Sequence, residues 1–252
     1  MLLSSPAGEL EYVVAGSGSP VTIFAHGLGG SVAETRPLAS AVAGIRVFLQ
    51  FRGHGQSFRP ARPPGYTELA DDLSAVADHV GATRALGVSM GAAALLNLAI
   101  REPRRFDRLV FFLPSVIDAL RSPEVRGTLA EMARAIDSGD VEPFVRNEIP
   151  PVARETSAGR QYARIRAGAL ADLAGLVRAT AAAVAVTDRE AVRGIKAPTL
   201  VIGAAGDPLH DVHVAEDLAE LIPDARLHIF AEPGPVWTHR AELRALISGF
   251  LG

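Results

Sequence analysis

The sequence predicts an α/β protein with a mostly parallel sheet flanked by helices. Three observations carry that expectation. Short apolar runs rich in β-branched and aromatic residues recur along the chain, and each is followed by a stretch with helical spacing. One long segment, about Val116 to Arg193, lacks any such run and predicts a helical insertion late in the sheet. The chain of 252 residues, 48% hydrophobic and 21% charged, has ample apolar surface for a core of that kind.

The strand runs are Val21–Ala25, Ile45–Leu49, Arg84–Val88, Arg108–Leu113, Thr199–Ile202 and Arg226–Phe230. They are nearly continuous in apolar residues, as expected when helices cover both faces of a sheet. Helical spacing runs over Val32–Val42, Tyr66–Val80, Met90–Arg101, Val212–Leu221 and Val236–Leu251. Strand–helix alternation implies right-handed crossovers between parallel strands. Within the interruption, Leu129, Met132, Ala133 and Ile136 recur at helical intervals, as do Leu170, Leu173, Leu176 and Val177. The expected organisation is a sheet core of residues 1–115 and 194–252 with a helical cap over 116–193.

Composition narrows the function. The formal net charge is −3, with no long run of one sign, so the basic stripe of a nucleic-acid binder is missing. There is no Cys, which excludes a disulfide scaffold and a Cys nucleophile. No window is long and apolar enough for a membrane span, and the start lacks a basic, apolar leader. A cytoplasmic protein is expected.

The strongest local signal is Gly87-Val88-Ser89-Met90-Gly91, between a strand run and a helical run. A Ser raised on a sharp strand-to-helix turn needs small neighbours so that the turn can close. The turn exposes the hydroxyl at the carboxyl end of the sheet and aims the Met90 amide at a developing oxyanion. His26-Gly27-Leu28-Gly29-Gly30 follows an earlier strand, and its Leu28 amide is the expected second donor.

With these motifs the chain resembles the α/β-hydrolase fold superfamily, in particular its small capped esterase, peroxidase-like and carbon–carbon-bond hydrolase members. Arg52-Gly53-His54-Gly55-Gln56-Ser57, Gly203-Ala204-Ala205-Gly206-Asp207 and the ending Leu246 to Leu251 support the resemblance. It implies an α/β-hydrolase fold over essentially the whole chain. One departure is Gln50, where the family often carries a structural Asp.

The resemblance implies Asp207 as the triad acid, with Asp211 as a nearby competitor. The family's catalytic His commonly follows a Gly in the loop after the last strand. Here that loop reads Glu232-Pro233-Gly234-Pro235-Val236-Trp237-Thr238-His239, and Pro235 stands where the His is expected. Two readings follow. Either His239 swings back to Ser89, giving Ser89, Asp207 and His239 as the catalytic set, or the usual base is lost or displaced. In the second case His239 packs on a stripe with Val236, Leu243, Leu246 and Phe250. His210 or His213 could substitute, although their closeness to Asp207 demands unusual geometry. His26 and His54 read as structural, and Arg104, Arg105, Arg164 and Arg166 as solvated surface.

Two functions are therefore expected. The first is a serine hydrolase forming an acyl-Ser89 intermediate with a small or medium, mostly uncharged carboxylic ester, lactone or thioester. The second is a small-molecule binder, or a lyase or cyclase that uses only the oxyanion hole. Neither requires a cofactor or metal, and the expected partner is a small molecule, with no nucleic acid and no membrane.

Overall fold

A computed structural model describes residues 1–252. Eight strands form one sheet: β1 (Leu2–Ser5), β2 (Gly8–Ala15), β3 (Val21–Ala25), β4 (Ile45–Leu49), β5 (Arg84–Val88), β6 (Arg108–Phe112), β7 (Thr199–Ala204) and β8 (Ala225–Phe230). Their order is β1-β2-β4-β3-β5-β6-β7-β8, with β2 antiparallel to both its neighbours, β1 and β4, and every other pair parallel. The helices are α1 (Val32–Thr35), α2 (Tyr66–Val80), α3 (Met90–Arg101), α4 (Pro123–Ser138), α5 (Val141–Glu148), α6 (Pro151–Arg154), α7 (Ser157–Leu170), α8 (Ala174–Ala181), α9 (Val212–Leu221), α10 (Pro235–Thr238) and α11 (Arg240–Leu251). The strand order reverses beside β3, so the carboxyl ends of β3 and β5 face a crevice, the usual place for a ligand in such sheets.

Strand side chains alternate between two cores, because successive Cβ atoms point to opposite faces. Ile23, Val47, Leu49, Ala85 and Phe111 pack with α2, α3 and α9. Phe24, Phe48, Leu86, Val110 and Phe112 pack with Leu38, Val42 and the apolar side of α11. Helix α3 is buried over Met90–Ala99, and its run of Gly and Ala lets it lie close to the sheet. Glu68 accepts a hydrogen bond from the Gly65 amide at the start of α2, and Gly81 ends that helix at φ 65°.

Helices α4 to α8 all lie between β6 and β7, and no strand falls within 116–193. They close around their own cluster, including Leu129, Met132, Val145, Ile149, Leu170 and Val177. Leu28, Leu209 and Trp237 pack against it from the sheet side. Arg121 leads into this insert and donates to the carbonyls of Thr180 and Ala183, at the carboxyl end of α8, where a cation suits the helix dipole.

Three elements differ from the sequence expectation. The strands β1 and β2 lie outside the expected runs: β1 is a half-exposed sheet edge, and β2 opens with Glu9 and Glu11 alternating with Leu10 and Tyr12, unlike the continuous apolar runs of strands covered on both faces. The helix expected over Val32–Val42 keeps helical form only to Thr35 and continues as turns. The one expected over Val236–Leu251 starts at Pro235 and breaks at His239, whose backbone at φ −127°, ψ 36° separates α10 from α11.

Candidate active site

Ser89 stands between β5 and α3 with φ 50° and ψ −109°. A non-glycine residue in that region carries strain of about 1–3 kcal/mol, and surrounding bonds must hold it there. The Ser89 amide donates to the Phe112 carbonyl and Ser115 Oγ donates to the Ser89 carbonyl. The flanking glycines are required by close approach. A Cβ on Gly87 would lie 2.5 Å from the Gly91 carbonyl oxygen, and one on Gly91 would lie 2.5 Å from that of Ala25.

The loop after β3 is held at every peptide. His26 Nδ1 donates to the Gly27 carbonyl (2.7 Å), and its Nε2 accepts from the Phe51 amide (3.2 Å). The Gly27 amide donates to Glu34 Oε2 (2.7 Å) and the Gly29 amide to His54 Nε2 (3.1 Å). The Leu28 carbonyl accepts from Arg166 Nη1 (3.0 Å). The Leu28 amide, like that of Met90 at the first turn of α3, donates to no acceptor in the chain. Both residues line one cavity with Ser89. His26 and His54 both act through neutral rings. Burial holds the His26 imidazolium form well below its ordinary range, and burial lowers His54 to about 4.

The imidazole at Ser89 comes from His210. Its Nε2 lies 2.8 Å from Ser89 Oγ, and its Nδ1 lies 2.8 Å from Asp207 Oδ1. The same Asp207 oxygen accepts from the Leu209 and His210 amides at 2.9 and 3.1 Å. Acid and imidazole thus share one turn, an Asx-type loop with Pro208 inside it. Burial opposes the Asp207 charge, but His210 and these amides outweigh it and hold the carboxyl below its ordinary value. The arrangement keeps the proton on Nδ1 and leaves Nε2 to accept from Ser89.

His239, the sequence candidate for the base, stands elsewhere. Its ring packs against Phe230 at 5.1 Å, its Nδ1 lies 2.9 Å from Thr238 Oγ1, and its Nε2 faces Glu232. The α10 turn, opened by Pro235, carries the chain past the cavity, so Val236 and Trp237 line it while His239 sits at the start of α11. Asp211 precedes α9, and His213 turns outward to Glu216. No group of three or more His, Asp or Glu side chains is arranged to hold a metal ion.

The cavity has a volume of about 250 Å³ and lies between the carboxyl ends of the strands and the helical insert. Leu129 and Met132 of α4 and Tyr162 of α7 face Val88, Leu113 and Trp237 across it. Tyr162 and Trp237 meet edge to face at 5.3 Å. Sequence reasoning missed Glu34, Glu148, Tyr162 and Arg166, which also line it. The expectation that Arg166 is solvated fails. Its side chain is 11% exposed and its Nε donates to Glu148 Oε2 at 2.7 Å. Burial works against the guanidinium charge, but Glu148, Tyr162 and Glu34 outweigh it and raise its pKa. Burial also pushes the Glu34 carboxyl up, partly opposed by Arg166, and the Tyr162 hydroxyl to about 12. Only the spacing of Tyr162 and Arg166, one helical turn apart, hinted that they share a face.

This fold coincides with a known family. Residues 20–236 match the alpha/beta hydrolase fold family, and the chain belongs to it. A 2-hydroxymuconate semialdehyde hydrolase from Pseudomonas is 29% identical over 258 residues, covering 94% of this chain and 88% of the relative. The RutD protein of Azorhizobium caulinodans, named as a carbamate hydrolase, is 26% identical over 231 residues, covering 87% and 85%. The enol-lactonase of Burkholderia xenovorans superposes with a TM-score of 0.81 at 22% identity, over 100% of this chain and 99% of that one, a likeness of fold. The relatives by sequence are hydrolases, and no helix of this chain is long and apolar enough to cross a membrane.

Proposed function

We propose that this protein is a serine hydrolase acting on a small or medium ester-like substrate, with Ser89 as nucleophile, His210 as base and Asp207 as the acid that orients it. The observation that carries this reading is the 2.8 Å contact between His210 Nε2 and Ser89 Oγ, backed by the equal contact from Nδ1 to Asp207. It favours hydrolysis over a binder or lyase lacking a base. The family's order of nucleophile, acid and base is kept, although acid and base now share a turn.

In the reaction, Ser89 Oγ attacks the substrate carbonyl and its proton passes to His210 Nε2. The oxyanion takes hydrogen bonds from the Leu28 and Met90 amides, and the Asp207 carboxylate stabilises the imidazolium. His210 returns the proton to the departing oxygen or sulfur, leaving acyl-Ser89. A water then gives its proton to His210 and attacks the acyl carbon, releasing the acid and restoring Ser89. The helical insert acts as a cap whose Leu129 and Met132, facing Trp237 of α10 across the cavity, select an apolar acyl or cyclic group. The cavity of about 250 Å³ suits a carboxylic ester, lactone or thioester of modest size.

A fluorophosphonate probe tests the reading. The wild type becomes labelled, peptide mapping finds the adduct on Ser89, and both Ser89→Ala and His210→Ala abolish labelling. Labelling of His210→Ala at the wild-type rate would overturn His210 as base.

A further inference from the structure

The helical insert reaches the loop that presents the Leu28 amide at two points. The Leu28 amide belongs to the Gly27–Leu28 peptide: in the peptide that follows, Arg166 of α7 donates from Nη1 to the Leu28 carbonyl at 3.0 Å, and in the peptide before, the Gly27 amide donates to Glu34 at 2.7 Å. One turn further along α7, Leu170 covers Gly29. A Cβ on Gly29, whose φ is +61°, would lie 2.3 Å from Leu170 Cδ2. Arg166 is itself fixed by Glu148 of α5 at 2.7 Å. Glu148 Oε1 is buried without a hydrogen-bond partner, so the Arg166 contact to Oε2 is what compensates this acid. The loop is therefore gripped from the sheet side by Glu34 and His54 and from the insert by Arg166 and Leu170.

We propose that Arg166 and Glu34 are positioning residues that hold the Leu28 amide on the developing oxyanion, so that the insert, and not the sheet alone, completes the oxyanion hole. Neither side chain moves a proton. The Gly27–Leu28 peptide is fixed in rotation because its own Gly27 carbonyl is held by His26 and the peptides on either side are held by Glu34 and Arg166, and a donor so fixed needs no reorganisation as charge develops. Misplacement of about 1 Å at such a donor lowers the rate roughly 100-fold. The contact also makes catalysis depend on the position of the insert, since moving α7 away breaks the Arg166–Leu28 bond.

The inference rests on the serine-hydrolase reading, and the test separates the two. An aryl ester is assayed with wild type, Arg166→Met, Arg166→Ala, Glu34→Gln and Glu34→Leu. Inhibition by a trifluoromethyl ketone, whose Ser89 adduct places an oxyanion in the hole, is measured in parallel. Arg166→Met is expected to lower kcat by about 10–100-fold with KM changed less than about threefold. The ketone's Ki should rise in step with the fall in kcat/KM across the series. Glu34→Gln, which keeps an acceptor for the Gly27 amide, should lose less than Glu34→Leu. Guanidinium added to Arg166→Ala should restore part of kcat. If Arg166→Met unfolds the chain, Arg166→Met/Glu148→Gln removes both charges together and takes its place. An unchanged ketone Ki in a folded variant, or a loss confined to KM, would overturn the positioning role while leaving Ser89 chemistry intact. A wild type that neither labels nor turns over the ester overturns both.

Discussion

His210 and Asp207 lie three residues apart on one turn, with Nδ1 and Oδ1 2.8 Å from each other, and the far side of the same ring touches Ser89. The acid also accepts two backbone amides of that turn, so a single carboxylate fixes both the loop and the ring. This compact arrangement frees the loop after β8 from supplying an imidazole. That loop can then carry Pro235 and present Trp237 to the cavity.

His210→Ala should reduce ester turnover as severely as Ser89→Ala, by about 10⁴-fold or more, because members of such a set act as a unit. His239→Ala should leave kcat within a few-fold, since its ring packs on Phe230 and makes no contact with Ser89. Pro235→His should not raise activity, because Ser89 already has its imidazole. Steady-state kinetics on one aryl ester compares the three.

Asp207→Asn should lower kcat by roughly 10⁴-fold, since an amide no longer enforces the Nδ1–H tautomer. It should also loosen the turn by weakening its hold on the Leu209 and His210 amides. Measuring kcat together with the urea midpoint separates the chemical loss from the structural one.

Folding stability should fall with acidity between pH 6.5 and about 4 through His54. Its pKa in the folded chain is about 4 against an ordinary 6.5, with burial the main cause. Above pH 6.5 the ring is neutral in both states and its contribution is complete. Below that the unfolded chain binds a proton that the folded one refuses, until both bind it below about 4. The shift amounts to about 3 kcal/mol. His26, lowered in the same direction, steepens the decline. Urea unfolding of wild type and His54→Gln at pH 7 and pH 4.5 should show a smaller difference between the two pH values in the variant.

Asp72→Ala should destabilise the fold by about 3–5 kcal/mol without altering residues of the cavity. Asp72 is 1% exposed and takes the Arg52 guanidinium at two points, 2.9 and 2.6 Å, plus the Arg52 amide at 3.0 Å. Removing it strands a buried cation. Thermal or denaturant unfolding measures the loss.

Gly91→Ala should prevent the native turn at Ser89, because the added Cβ would meet the carbonyl oxygens of Ala25 and His26 at 2.5 and 2.6 Å. Neither backbone can retreat without breaking the β3–β5 pairing. A drop in soluble yield or in the melting temperature, larger than for Gly127→Ala on open helix surface, would show it.

The sequence by itself determined the parts of this protein that are local. Val21–Ala25, Ile45–Leu49 and Arg84–Val88 are strands with those same ends, because continuous apolar runs bounded by turn residues leave one register for a strand covered on both faces. The turn at Ser89 was legible for the same reason: two glycines and a hydroxyl must be neighbours for it to close. Tertiary structure decided what depends on distance through space. The imidazole at Ser89 lies 121 residues away in the chain, and seven His compete for the place. The family resemblance pointed to the loop after the last strand, leaving His239 or a displaced base, and only the folded path of the β7–α9 turn brings His210 over the hydroxyl. Arg166 read as surface because nothing in the chain around it announces Glu148 or the Leu28 carbonyl, 18 and 138 residues off. A charge becomes a buried partner only when packing brings its counter-charge to it, and packing between distant elements leaves no periodic trace in the chain.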